Sequence, residues 1–304
     1  MSAPPPPAGD AATMIGLSLP DRARWSERVH VVLGQNPGLF SGPGTNTYLV
    51  GRGRRRILLD TGAGRPAYLP VLERALAELG CEIAEVVLTH GHPDHLGGLA
   101  QLRERFGGLR ARKLPWPGND EEYATDLELL EHGERVSAEG ATLRAIHAPG
   151  HAPDHLCFLL EEERSLFSGD NVLGVGTTVI PARGGSLREY LASLERLLRE
   201  EPRAIYPAHG PRIDDGVAKL REYLDHRAQR EQQVLDGLRS GLSRVPDLVA
   251  RIYAAYPQAL HAAAAQSVAS QLEKLAEEGR VRRLPPPANS SSAGAETGRW
   301  ELLH

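Results

Sequence analysis

The run Thr89-His90-Gly91-His92-Pro93-Asp94-His95 places three imidazoles and a carboxylate within six positions, directly after the apolar stretch Ile83 to Leu88. Imidazole nitrogens and carboxylate oxygens bind zinc and related divalent ions without help from thiolates. A loop leaving a strand end can turn all four towards one point. Four such groups rarely gather at the ends of a buried sheet with nothing to satisfy them. Three distant residues extend the set: His151 in Ala148-Pro149-Gly150-His151, Asp170 in Phe167-Ser168-Gly169-Asp170, and His209 in Pro207-Ala208-His209-Gly210. Each follows a strand-like run and sits beside glycine or proline. The spacing suggests His90, His92 and His151 on one ion, Asp94, His95 and His209 on a second, and Asp170 between them. Two ions so placed would lower the pKa of a shared water, with Asp94 and Asp170 as the catalytic candidates that hold or orient it. His30, His132, His147, His226, His261 and His304 are read only as surface or hydrogen-bonded histidines.

Strands must deliver these loops. Short β-branched and aliphatic runs at Val29 to Leu33, Thr47 to Val50 and Ile57 to Leu59 are punctuated by glycine-rich turns. Tyr68 to Leu79 then carries Leu69, Leu72, Leu76 and Leu79 at helical spacing, and Ile83 to Leu88 returns as a buried strand. A helix is predicted over Leu96 to Phe106 and a polar surface loop over Arg112 to Asp126. Strands are predicted at Thr142 to His147, Leu156 to Leu160, Ser165 to Ser168 and Ala204 to Tyr206, and helices at Leu187 to Glu200 and Asp215 to Leu238. Beyond Leu242 the texture changes to two helices, Val245 to Tyr256 and Leu260 to Glu278, with Gly279 as the cap of the second. Arg280 to Leu284 and Gly298 to Leu303 read as the paired strands of a wing with Pro285 to Glu296 as its tip. Residues 1–20 read as a disordered tail, 21–230 as an α/β hydrolase domain and 231–304 as a small second domain.

A chain of 304 residues, 41% hydrophobic and 24% charged, can bury a core and still carry that second domain. Its net charge of −4 gives no sign of a protein that coats nucleic acid or anionic membrane. Two cysteines, Cys81 and Cys157, build no disulfide framework, which suits a reducing, cytoplasmic setting. No secretory signal and no run long enough to span a bilayer is visible.

The pattern His-x-His-x-Asp-His, with later Gly-His, Ser-Gly-Asp and His-Gly, resembles the metallo-β-lactamase superfamily, and more narrowly its lactamase-β-2 subfamily of metal-dependent endoribonucleases. Asn36-Pro37-Gly38, Gly44 to Gly51, Arg56 to Gly62, Glu139 to Arg144, Ile205 to Pro211, His226 to Gln233, Leu272 to Gly279 and Trp300 carry the resemblance over nearly the whole chain. It implies an αββα sandwich with the metals at one edge and a C-terminal winged-helix-like domain. It also implies two divalent ions, expected to be Zn2+, on His90, His92, Asp94, His95, His151, Asp170 and His209. Asp60 is similar to the family carboxylate that supports a ligand histidine. Gly91 stands where the better-known relative has a bulky aromatic, Ala208 replaces a glycine, and Ile180 to Ser186 is longer and richer in glycine than the family pattern; these departures touch the substrate pocket and none removes a ligand.

The resemblance favours cleavage of single-stranded RNA by attack on phosphorus, with the terminal domain guiding the strand. Seven Arg or Lys against four Asp or Glu between Leu238 and Leu284 lend this weak support. The alternative is thioester hydrolysis of the glyoxalase II kind, since one ligand set serves both reactions. A homodimer is a third expectation, through the alanine run Ala262 to Ala265.

Overall fold

The computed structural model describes residues 14, 16–123, 126–181, 184–285 and 298–303. Most of the expected N-terminal tail, the tip of the wing and His304 lie outside the described residues. The first sheet has seven strands in sequence order: β1 Arg22–Arg24, β2 Val29–Leu33, β3 Asn46–Val50, β4 Arg55–Leu59, β5 Glu82–Val87, β6 Ala111–Lys113 and β7 Glu128–Leu129. β1 to β4 pair antiparallel and β4 to β7 pair parallel. The second sheet runs β12-β11-β10-β9-β8, from β8 Arg135–Ala138, β9 Ala141–His147, β10 Leu156–Leu160, β11 Ser165–Gly169 and β12 Ala204–Pro207. Only its β11–β12 pair is parallel.

Side-chain alternation with period two explains the layering. Val29, Val31, Tyr48, Ile57 and Leu59 point from the first sheet towards Leu143, Phe158, Phe167 and Tyr206 of the second. Their neighbours point outwards and are also buried. Val32, Leu49 and Leu58 meet α1 Tyr68–Leu79 and α3 Leu99–Phe106, whereas Ile146, Cys157 and Leu166 meet α4 Leu187–Arg199 and α5 Gly216–Arg239. Both faces of both sheets are thus covered, which gives the αββα order. Cys81 and Cys157 are unpaired. No helix among the described residues is long and apolar enough to cross a membrane.

The last part of α5 enters a second core. Val234, Leu235 and Leu238 pack with Val245, Leu248 and Val249 of α6 Val245–Ile252, with Val268, Leu272 and Leu275 of α7 His261–Glu277, and with Val281 and Trp300. Those last two sit on the hairpin β13 Val281–Leu284 and β14 Arg299–Leu302. α7 closes at Gly279, whose φ of 69° is left-handed, as its N–H bonds Ala276 O and that of Arg280 bonds Leu275 O. The expected helix over Leu96 to Phe106 is two pieces, α2 Pro93–Leu96 and α3, broken at Gly97-Gly98. Within the expected α6, Tyr253 to Tyr256 lie beyond the helix end, where Pro257 cannot continue the hydrogen-bond ladder.

His30 on β2 offers a pH test of folding. Its Nδ1 lies 3.0 Å from Arg56 Nη1, and burial, then Arg56 and Arg24, push its pKa down to about 4. The unfolded chain takes up this proton near 6.5, so between about 6.5 and 4 it binds more protons than the folded chain and stability falls on acidification. His30→Gln should therefore flatten the loss of urea midpoint between pH 6.5 and 4 relative to wild type.

Candidate metal centre

All seven predicted residues meet at one edge of the sandwich. His90 and His92 lie in the loop after β5, Asp94 and His95 in α2, His151 between β9 and β10, Asp170 after β11 and His209 after β12. They form two groups, His90, His92, His151 and Asp170, and then Asp94, His95 and His209, with one donor atom per residue all within 4.8 Å of one another in each group. In the first group His92 Nδ1 lies 2.9 Å from His90 Nε2 and 3.0 Å from His151 Nε2. In the second, His209 Nε2 lies 3.3 Å from Asp94 Oδ2 and His95 Nε2 lies 3.6 Å from it. Asp170 faces both: Oδ2 is 3.3 Å from His151 Nε2, and Oδ1 is 3.2 Å from His209 Nε2 and 3.4 Å from His95 Nε2.

These contacts converge on two points. Among the described residues, Asp170 Oδ1 and His95 Nε2 are buried with no hydrogen-bond partner. Buried polar atoms left in that state cost free energy that a cation between them removes. The donor set of imidazole nitrogens and carboxylate oxygens fits a divalent ion at each group, so two candidate metal sites exist.

Electrostatics divides the groups. Burial, aided by neighbouring imidazoles, holds His90 well below its ordinary value and His92 at about 4. Burial also lowers His151. Their lone pairs are therefore free at neutral pH. Burial opposes charge on His209 and His95 too, but there Asp170 and Asp94 outweigh it: His209 is raised to about 10 and His95 well above its ordinary value. Without an ion, protons hold the second group together; an ion must displace them, as metal binding requires.

Supporting residues fix the rings. Asp60 closes β4 with φ of 60°, a left-handed geometry that Asp tolerates. Its Oδ2 lies 2.8 Å from His95 Nδ1 and accepts from the Thr89 hydroxyl at 2.9 Å, while Oδ1 accepts from the Thr89 N–H at 2.8 Å. This leaves His95 Nε2 facing the second group. His151 Nδ1 donates to Val179 O at 2.9 Å, which turns its Nε2 to the first. Asn46 Nδ2 donates to Pro207 O and Gly210 O and so clamps the loop that carries His209. The Thr45 hydroxyl donates to Asp94 Oδ2 at 3.3 Å and accepts from Asn36 Nδ2 at 3.0 Å. The Asn36 and Gly44-Thr45-Asn46 stretches therefore act at the second group. Asp60→Asn should weaken metal binding about 10- to 100-fold, the usual effect of losing such a partner, as read by competition with a chromogenic chelator.

Two features were not visible in the sequence. His155, assigned no role there, is fully buried, stacks on His90 with centroids 4.8 Å apart, and accepts from the Asp170 N–H at 3.1 Å. A Cβ on Gly169 would come within 2.6 Å of its Nε2, so that glycine makes room for the ring. The signal available was Asp154-His155, four residues after His151 and directly before a strand. The second is Lys113, in the stretch expected to be surface loop yet wholly buried. Its Nζ lies 2.9 Å from Asp120 and 2.6 Å from Asp154 Oδ2. Asp120 accepts from the Trp116 N–H, and Asn119 Nδ2 donates to Gly91 O, so the turn from 116 to 120 is tied onto the metal loop. A side chain on Gly91 would strike Asn119 and Asp120, so the turn leaves room there only for glycine.

A cavity of about 1110 Å³ opens from His92, Asp94, His151, Asp170 and His209. Leu39, Phe40, Leu173 and Val179 flank it, one side of α5 forms a wall that carries Lys219, Arg221, Arg227 and Arg230 beside Glu222 and Asp225, and Tyr253, Tyr256, Leu260 and Ala263 of the helical module also line it.

Residues 41–209 match the model of the metallo-beta-lactamase superfamily, and residues 245–289 that of the beta-lactamase associated winged helix domain. An atrochrysone carboxyl ACP thioesterase from Aspergillus chevalieri is 44% identical over 224 residues, covering 73% of this chain and 69% of that protein. A beta-lactamase-like protein 2 homolog from Caenorhabditis elegans is 38% identical over 261 residues, covering 84% and 86%. A solved beta-lactamase domain protein from Burkholderia ambifaria superposes with a TM-score of 0.78 at 19% identity, covering 95% of this chain and 96% of that one.

Proposed function

The chain belongs to the metallo-beta-lactamase superfamily as a metal-dependent hydrolase, and from that premise we propose that it hydrolyses acyl thioesters, including those borne on a carrier. The observation that carries this reading is the cavity, which joins both ligand groups to a largely apolar space shared with the helical module. Such a space suits an acyl group. The thioesterase relative supports the same reading.

His90, His92 and His151 would hold one ion, Asp94, His95 and His209 the other, with Asp170 reaching both; zinc fits these nitrogen and oxygen donors. When bound, such a pair supplies Lewis acidity and a water ionised near neutral pH. Asp94, whose side chain is 31% exposed and whose Oδ2 also takes the Thr45 hydrogen bond, is placed to accept a proton from the attacking water and orient it. Asp60 and His155 keep His95 and Asp170 aimed. Water adds to the acyl carbon, the C–S bond breaks, and acid and thiol leave. In the domain division that accompanies this reading, 21–230 carries the chemistry and 231–304 shapes the pocket.

Single-stranded RNA cleavage is the second reading, favoured by the winged-helix match and the beta-lactamase-like protein 2 homolog. It ranks lower because several cations of that module are engaged. Arg239 pairs with Asp236, Lys274 and Arg280 with Glu231, and Arg282 with Glu301. The test incubates metal-loaded protein with acyl-pantetheine thioesters and with labelled single-stranded RNA, each with and without chelator. Chelator-sensitive thiol release with intact RNA is expected; RNA cleavage without thiol release reverses the order.

A further inference from the structure

We propose that the helical module supplies the acyl-recognition site of this cavity and that the site takes a bulky aromatic acyl group bearing oxygen substituents; this rests on the thioester reading. The site is built around Arg230 of α5. Its guanidinium carbon lies 4.5 Å from the centroid of Tyr253 and 5.5 Å from that of Tyr256. Nη2 donates to the Tyr256 hydroxyl at 2.9 Å, and Nη1 donates to Gln233 Oε1 at 2.8 Å and Ile252 O at 3.4 Å. The two rings, 5.4 Å apart and inclined at 60°, are thereby fixed just beyond the end of α6, and both line the cavity.

Their chemistry selects the ligand. The Tyr256 oxygen already accepts from Arg230, so its own proton is left to donate. The Tyr253 hydroxyl has no hydrogen-bond partner among the described residues. A ring pair with two available phenol protons matches an aromatic group through offset or edge contacts, while the carbonyl or hydroxyl oxygens of that group accept the protons. A plain aliphatic chain would leave both protons unmet, at a cost that discriminates against it.

The test measures binding of thioether analogues, in which a methylene next to sulfur prevents hydrolysis, by calorimetry with the metal-loaded full chain. The probes are the 2-hydroxy-1-naphthoyl, octanoyl and acetyl analogues of the pantetheine thioester. We expect the naphthoyl analogue to bind at least about 10-fold more tightly than either other. The double variant Tyr253→Leu/Tyr256→Leu should erase that advantage while leaving acetyl binding and the far-ultraviolet circular dichroism unchanged. Equal binding of octanoyl and naphthoyl analogues to wild type overturns the proposal, and this comparison decides alone if the variant fails to fold. An advantage that survives the substitutions, or an equal loss for all three probes, overturns it too. Hydrolysis of the parent thioesters is read separately: aromatic preference without turnover removes the thioester reading and keeps the site, and turnover without preference does the reverse.

Discussion

Asp170→Asn should lower kcat/KM on the order of 10³-fold, because about 4 kcal/mol of charge stabilisation depends on an oxygen facing each ligand group. Its two carboxylate oxygens divide between the groups, Oδ2 beside His151 and Oδ1 beside His95 and His209. An amide of the same shape keeps one oxygen and loses the charge. His155 would still accept from the residue 170 N–H, so the loop should hold its place. Elemental analysis should therefore find less than two ions per chain on protein whose circular dichroism is unchanged. Retention of two ions with near-normal turnover would show that Asp170 does not join the groups.

Lys113→Met should destabilise the fold by about 3–5 kcal/mol, the cost of stripping one partner from a buried ion network. Lys113 is wholly buried between Asp120 and Asp154, and its removal leaves two carboxylates facing each other with no cation between them. Burial already raises Asp154 against the pull of Lys113. Adding Asp154→Asn should recover part of the loss, since one of the two charges is then gone. Urea titrations of the metal-free proteins measure this directly. A change under about 1 kcal/mol would mean that the network relaxes to solvent and does not anchor the turn over Gly91.

The contrast between these two sites explains what was legible in the sequence. Each ligand candidate directly follows an apolar run or lies in the loop or turn after one, so local patterning singled out His90, His151, Asp170 and His209 at strand ends, while their common edge was implied by the family resemblance. The Lys113 network joins β6, a turn and the loop before β10, and nothing local distinguishes a lysine that will be buried from one on a polar loop. β1 and β8 escaped notice because Arg22-Ala23-Arg24 and Arg135-Val136-Ser137-Ala138 bury only one side chain fully, Val136, and carry too few apolar residues to show a period. α5 hid its double role for another reason. It is one continuous helix whose first half packs on the sandwich through Leu220 and Tyr223 and whose last turns serve the second core, so it runs through the expected boundary at 230/231. The local excess of Arg and Lys misled for a similar reason: Glu231, Asp236 and Glu301, which neutralise part of it, lie outside the segment counted. Ala264, in the run considered for a dimer contact, is buried within the chain, where it packs in the second core; self-association thus remains a separate proposal, read by mass in solution.

The most direct test of the central claim is to titrate metal-free protein with zinc while following thiol release from an acyl-pantetheine thioester. Two ligand groups joined by Asp170 predict activity that rises to a plateau at two equivalents per chain and vanishes with chelator. Full activity at one equivalent, or none at any loading while labelled single-stranded RNA is cut, would contradict a dinuclear thioester hydrolase.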